Sequence, residues 1–224
     1  MVETTGEKLL PNDGDSGMQL CPVVQLDLAS AKTLADQVSI IQDLRSVSEY
    51  CDRLFEILRE PEDRQDSVAM QAYWTAALVS YWRCFNTGKR FGLTEEDVKA
   101  LPYKGEVVEY HRWLGDMRNK NVAHSVNPFE MVKVGAVLSP DGVNPREVQG
   151  TGVFSARYVS VDEGGVQQLA SLARGLAELV SKRAETQQEV VLEEARKMEF
   201  DRLRRMPQLG GTIPSSEDAA RARK

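Results

Sequence analysis

Only two of the 224 residues are histidines, His111 and His124. Imidazole is the side chain that exchanges a proton near neutral pH, so acid–base chemistry is sought first at these positions. They lie thirteen residues apart in a stretch with helical spacing. They therefore point to different faces and cannot form one site within a protomer. His111 stands between Tyr110 and Arg112 and reads as a surface or capping histidine. His124 has richer surroundings, in the string Asp116-Met117-Arg118-Asn119-Lys120-Asn121-Val122-Ala123-His124-Ser125. Arg118, Asn121 and His124 follow at i, i+3 and i+6, a ribbon along one side of a helix. Half-buried Arg, Asn and His need polar partners, because each unsatisfied group costs about 1–3 kcal/mol. A symmetry-related copy, water or a phosphate would supply them. So would a hydrogen-bonded network at a helix end, where the helix dipole favours His and Lys.

The elements around this ribbon read as helices. Ser30 is a candidate N-cap, and apolar residues recur at Leu34, Val38, Ile41, Val47, Cys51, Leu54 and Leu58 until Pro61 stops the helix. A second helix is predicted over about 62–87, closed by Gly88. Its wide face of Met70, Tyr73, Trp74, Ala77, Leu78, Tyr81, Trp82 and Phe85 reads as core. Thr94 opens a short helix that ends before Pro102. The third main helix begins near Gly105 and carries the seam Val107, Tyr110, Leu114 and Met117. Continued at the same spacing, that seam turns polar at Asn121 and His124, with Pro128 as its limit.

After Asn127 the character changes. Residues 131–138 and 153–161 read as two strands, joined through the turn sequence Ser139-Pro140-Asp141-Gly142. Residues from about 163 to 205 then follow helical spacing through Val166, Leu169, Leu172, Leu176 and Leu179. The predicted organisation is a flexible N-terminal arm (1–30), a helical bundle (31–206) with a hairpin near 129–161, and a disordered C-terminal tail (207–224). The fold class is mainly α, a four-helix bundle with a small β-hairpin between the third and fourth helices.

Composition narrows the function classes. Acidic residues (34) exceed basic ones (28), which argues against a basic nucleic-acid coater but leaves room for a local basic site. Between Arg83 and His124 the balance reverses, with about eight basic and six acidic residues. No apolar run approaches the ~20 residues of a membrane span, and the acidic N-terminus lacks the marks of a signal peptide, so a cytoplasmic location is expected. Cys21, Cys51 and Cys84 are an odd, dispersed set. They predict reduced and mostly buried thiols rather than a disulfide framework or a zinc site.

The string RNKNVAHS, after an aromatic-rich amphipathic helix and before a proline, resembles the Arg-x(4–6)-His motif of the HEPN superfamily. Here the spacer is Asn119 to Ala123, and a polar Asn directly after the Arg is typical of the motif. The resemblance is closest to HEPN proteins of the phage-defence, abortive-infection and toxin type. It implies a HEPN-like four-helix bundle that forms a homodimer through the motif helices. It also implies a metal-independent endoribonuclease site shared by the two copies, with RNA as substrate, no cofactor, and a possible cognate antitoxin or defence-system partner. Arg118 and His124 carry over as catalytic residues with Asn119, supported by Lys120 and Asn121. Relatives silenced by adenylylation have a Tyr two residues after the His. Val126 stands there in this chain, so that mode does not carry over.

The implied chemistry is coherent. RNA supplies its own nucleophile, the 2′-hydroxyl. An imidazole can move protons at neutral pH, and a guanidinium can hold two phosphate oxygens as negative charge develops. One His per protomer becomes two at a two-fold axis, enough for a base and an acid. The alternative is a non-catalytic scaffold of the same fold, in which the Arg118/His124 seam only sets dimer register.

Overall fold

The computed structural model describes residues 9–10, 19–85, 90–119, 130–142, 144–157 and 162–210. Along them run β1 (Leu9–Leu10), β2 (Gln19–Leu20), α1 (Ala29–Leu58), α2 (Ser67–Arg83), α3 (Glu95–Lys99), α4 (Val107–Met117), β3 (Glu130–Leu138), β4 (Val148–Arg157), α5 (Glu163–Arg196) and α6 (Phe200–Arg204). The protein is mainly helical, with antiparallel pairing of β1 with β2 and of β3 with β4. The chain divides into two compact units, one spanning Thr33–Glu185 and the other formed by residues up to Lys32 together with those from Thr186.

The larger unit holds the core. Ile40, Leu44, Val47, Cys51 and Leu54 of α1 are fully buried at steps of three and four residues, the spacing that keeps side chains on one helix face. Trp74, Ala77, Leu78 and Tyr81 of α2 join them, as do Leu114 and Met117 of α4 and Val166, Leu169, Ala173, Leu176 and Val180 of α5. Four helices thus share one apolar cluster. Leu93, Val98 and Leu101, from α3 and its flanks, complete it.

Local chemistry decides where the helices begin. The first helical hydrogen bond of α1 runs from Lys32 N–H to the Leu28 carbonyl, so the helix starts ahead of Ser30. The Ser30 hydroxyl is not a cap and donates instead to Glu194 within the smaller unit. Residues 62–64 form a separate short turn, and α2 begins only at Ser67. There Asp66 accepts a hydrogen bond of 2.9 Å from the Ala69 N–H, satisfying one of the unpaired donors of the first turn. The expected stop at Gly88 lies outside the described residues. Thr94 opens α3 as expected, with the Asp97 carboxylate reaching back to the Thr94 N–H at 2.7 Å. Asp162 caps α5 by accepting from the Gly165 N–H at 2.6 Å. That last helix is not one element to 205: it ends at Arg196, Glu199 takes an extended conformation, and α6 starts anew.

β3 and β4 pair from Glu130↔Arg157 to Val137↔Gly150, with a register shift before Leu138↔Val148. β4 starts five residues earlier than the sequence suggests. Gln149, Gly150 and Gly152 lack strand character of their own, and β3 recruits this segment through backbone pairing. Gly142, at φ +84°, makes the turn beyond β3. Residues 158–161, expected to finish the second strand, lie outside the described residues. In the smaller unit, Gln25 N–H donates to the Pro207 carbonyl and Leu209 N–H to the Val23 carbonyl, both at 2.8 Å. Residues 207–209, expected to be the start of a tail, are therefore held by an isolated antiparallel bridge, Val24↔Gln208.

α2 and α4 pack tightly at Gly115. A Cβ there would lie 2.8 Å from Cζ2 and Cζ3 of the Trp82 indole, inside van der Waals contact. Gly→Ala in a helix interior ordinarily stabilises by about 0.5–1 kcal/mol. Here the clash reverses the sign, and Gly115→Ala is expected to destabilise by about 1–3 kcal/mol. The same substitution beside Trp82→Leu should recover much of that loss. Urea unfolding of the two variants and of Trp82→Leu alone checks it, and a stabilised Gly115→Ala protein would contradict the packing.

Candidate functional site

The third main helix positions the residues that the sequence marks for chemistry. α4 follows Gly105, whose φ of +95° turns the chain into the helix. Leu114 and Met117 then anchor its inner face in the core. At Arg118–Asn119 the backbone widens into a π-type turn, a local irregularity common at functional sites. Arg118 is half-buried and Asn119 exposed. The Arg118 Nη1 donates to Asn119 Oδ1 at 3.0 Å. Among the described residues no carboxylate pairs with the guanidinium, and its place at the helix C-terminus suits a cation. Arg118 is thus held by a neutral amide, with its remaining N–H donors available to an anion. Lys120, Asn121 and His124 lie outside the described residues, so of the expected constellation the structure brings together Arg118 and Asn119.

His111 differs from expectation. It is 5% exposed, neither a surface nor a capping residue. Its ring stacks on Trp82, with centroids 5.1 Å apart, and packs against Phe85 at 4.4 Å. A hydrogen bond of 2.9 Å joins its Nδ1 to the Tyr81 hydroxyl. Burial holds the imidazole below its ordinary range and keeps it neutral. The Tyr81 hydroxyl is pushed well above its usual value, again by burial. His111 is therefore part of the aromatic packing between α2 and α4. The signal for this was available: His111, Leu114, Gly115 and Arg118 fall on one side of the helix, and the first three are buried.

The remaining titratable residues separate clearly. Cys51 and Cys84 are buried and free, and burial pushes each thiol up to about 12. Cys84 Sγ donates to the Ser80 carbonyl at 3.4 Å. Neither is a nucleophile at neutral pH. Among the described residues no three His, Cys, Asp or Glu side chains gather as a metal site requires. No described helix is long and apolar enough to cross a membrane.

A second concavity escaped the sequence reading. A cleft of about 820 Å³ opens between the segment before α4, the first half of α4 and the first turns of α5. Tyr103, Tyr110 and Trp113 face it, with Lys104, Gln167 and Gln168. Tyr110 belonged to the expected seam. Tyr103 and Trp113 carry no periodic signal, because one lies in a loop and the other on the outer side of α4.

Comparison with protein-family models, with curated proteins and with solved structures finds no match. The functional reading rests on the residues themselves.

The buried imidazole has a measurable consequence. Unfolded, His111 titrates near ~6.5; folded, it resists protonation. Below that pH the unfolded state binds the extra proton, so stability falls as pH falls, by at most about 1.4 kcal/mol per pH unit for one group. Urea midpoints at pH 7.5, 6.5 and 5.5 should decline more steeply for the wild type than for His111→Phe. Equal slopes would remove His111 from the acid sensitivity.

Proposed function

We propose that the protein is a HEPN-type, metal-independent endoribonuclease acting as a homodimer, with a composite site built from Arg118, Asn119 and His124 of two protomers. The observation that carries this reading is the half-buried Arg118 guanidinium at the end of α4, bonded to Asn119 and unpaired with any carboxylate among the described residues. It opens the Arg118-x5-His124 string. A cation so placed is suited to a phosphodiester, and the helix that carries it is fixed by core packing on its inner face.

In the reaction proposed, an imidazole takes the 2′-hydroxyl proton and the 2′-oxygen attacks phosphorus. The bond to the 5′-oxygen breaks, and that oxygen receives a proton from the second imidazole. Arg118 holds the non-bridging oxygens while charge builds on them. The products are a 2′,3′-cyclic phosphate and a free 5′-hydroxyl. Lys120 and Asn121 act in support, through phosphate attraction and hydrogen bonding. A cytoplasmic defence or toxin role, with an antitoxin or defence-system partner, belongs to the same reading.

A scaffold function is the competing reading, favoured by the exposed apolar hairpin. Val132, Val134 and Val153 stand out on one face of β3–β4 and Phe154 on the other, each more than half exposed.

Purified protein incubated with total RNA in EDTA separates the two. Cleavage with cyclic-phosphate ends is expected. Arg118→Ala and His124→Ala should each lower it by about 10²–10³-fold or more while remaining folded and dimeric by circular dichroism and light scattering. His111→Phe, if folded, should retain cleavage. A strict monomer at tens of micromolar, or full activity in the His124 variant, would overturn the shared site. A folded dimer that cleaves nothing would favour the scaffold.

A further inference from the structure

We propose that the cleft between α4 and α5 is a base-stacking subsite that takes one unstacked nucleobase of single-stranded RNA. This deepens the ribonuclease reading and rests on it for the identity of the polymer.

Three properties of the cleft carry the inference. The first is its aromatic wall. Tyr110 and Trp113 stack on each other, with ring centroids 5.6 Å apart and planes 19° from parallel. Trp113 remains 37% exposed and Tyr103 40% exposed. Aromatic residues left more than a third exposed inside a concavity are suited to a flat ligand, and base–aromatic stacking is tolerant of sequence.

The second property is rigidity. The Tyr103 hydroxyl donates to the Ser171 carbonyl at 2.8 Å, and the Tyr110 hydroxyl to the Gly165 carbonyl at 2.6 Å. Both phenols spend their polar ends on α5, so the rings are fixed before any ligand arrives. Gly175 makes room for this: a Cβ there would sit 2.7 Å from the Tyr103 hydroxyl. A preorganised wall lowers the ordering cost of binding.

The third property is the polar complement. Gln167 and Gln168 are exposed on α5, and among the described residues no hydrogen bond engages either amide. Each offers both a donor and an acceptor, as the edge of a base requires. Lys104 supplies a cation for a phosphate, while Glu106 and Glu109 disfavour burying one. The charges therefore suit a base inside and its phosphate at the rim. Trp113 precedes Arg118 by five residues on the same helix, an axial rise of about 7.5 Å. The two residues also differ by about 140° around the helix, so a strand that reaches both must pass around α4.

The test uses a 2′-O-methyl RNA 10-mer of mixed sequence, which lacks the 2′-hydroxyl nucleophile and so reports binding alone. Its abasic counterpart is the comparison; tryptophan fluorescence is the readout for proteins that keep Trp113, and anisotropy of a fluorescein-labelled strand is the readout for all variants. Quenching by the base-bearing strand is expected, with Trp113→Ala binding about 5- to 150-fold more weakly and Trp113→Phe recovering most of the loss. Gln168→Ala, a surface change that leaves folding alone, should weaken binding several-fold. Gly175→Ala should weaken it through Tyr103. Equal binding of the abasic strand, wild-type affinity in Trp113→Ala and Gln168→Ala, or saturation by tetramethylammonium without any binding of the strand would overturn the subsite. The two readings fail separately. Binding that needs Trp113 in a protein without cleavage keeps the subsite and removes the nuclease. Cleavage unaltered by Trp113→Ala does the reverse.

Discussion

The contact between the Trp82 indole and the backbone of α4 at Gly115 governs the rest of the larger unit. With no side chain at Gly115, the two helices come close enough for the indole to lie also against His111. Trp82 and Phe85 then close around the imidazole, and Tyr81 provides its hydrogen bond. The rotation of α4 follows from this packing. With His111 and Gly115 against α2, Trp113 lies at the margin of the packing, its ring 6.3 Å from Trp74 and partly exposed, and Arg118 continues the inner stripe to the edge of the core. The aromatic residues of α2 thus set the direction of a guanidinium about 10 Å along the next helix from His111, through the regular turn of about 100° per residue.

Polar interactions secure the segments that join these helices. The Asp97 carboxylate, 7% exposed, accepts from the Thr94 N–H and hydroxyl and from Arg183 of α5 at 2.6 Å. A buried carboxylate satisfied in this way fixes α3 against α5, and removal of either partner would leave a charge without compensation. Arg90 acts similarly on the connection after α2. It donates to Ser39 and Asp43 of α1 and to the Arg83 carbonyl. Phe91 N–H reaches Asp36. Where the chain leaves a helix, side chains of α1 and α5 receive it.

Apolar periodicity carried the helical architecture, because burial on one face imposes spacings that survive in any sequence. It located α1, α2, α4 and the first half of α5, and the aromatic face of α2 is core as that spacing implies. Boundaries were less legible. Asp66 and Asp162 are good caps, but Pro61 and the acids after it offered a competing start, and Ser30 looked like a cap while serving another bond. The first half of β4 could not be read from its own residues, since it is strand through its partner, whereas residues 153–157 were legible. His111 was misjudged from its place between Tyr110 and Arg112, although its helical phase places it with Leu114 and Gly115. At the site, Arg118 and Asn119 were legible as a polar pair following an apolar seam. The cleft was not, because it is assembled from a loop residue, an outer helical face and the start of α5, which are adjacent only after folding.

The core also has an order in time. α5 contributes buried residues as late as Ala184, and α1 and α2 present their apolar faces from Ile40 onward. Until α5 has emerged from the ribosome, those faces have no complete cover. At translation rates of about 5–20 residues per second, the roughly 100 residues between the end of α2 and the end of that wall take about 5–20 s to make. Helix formation needs less than a microsecond. For about half of its synthesis the chain therefore carries apolar helix faces that lack their cover, a period in which those faces are open to contact with other chains.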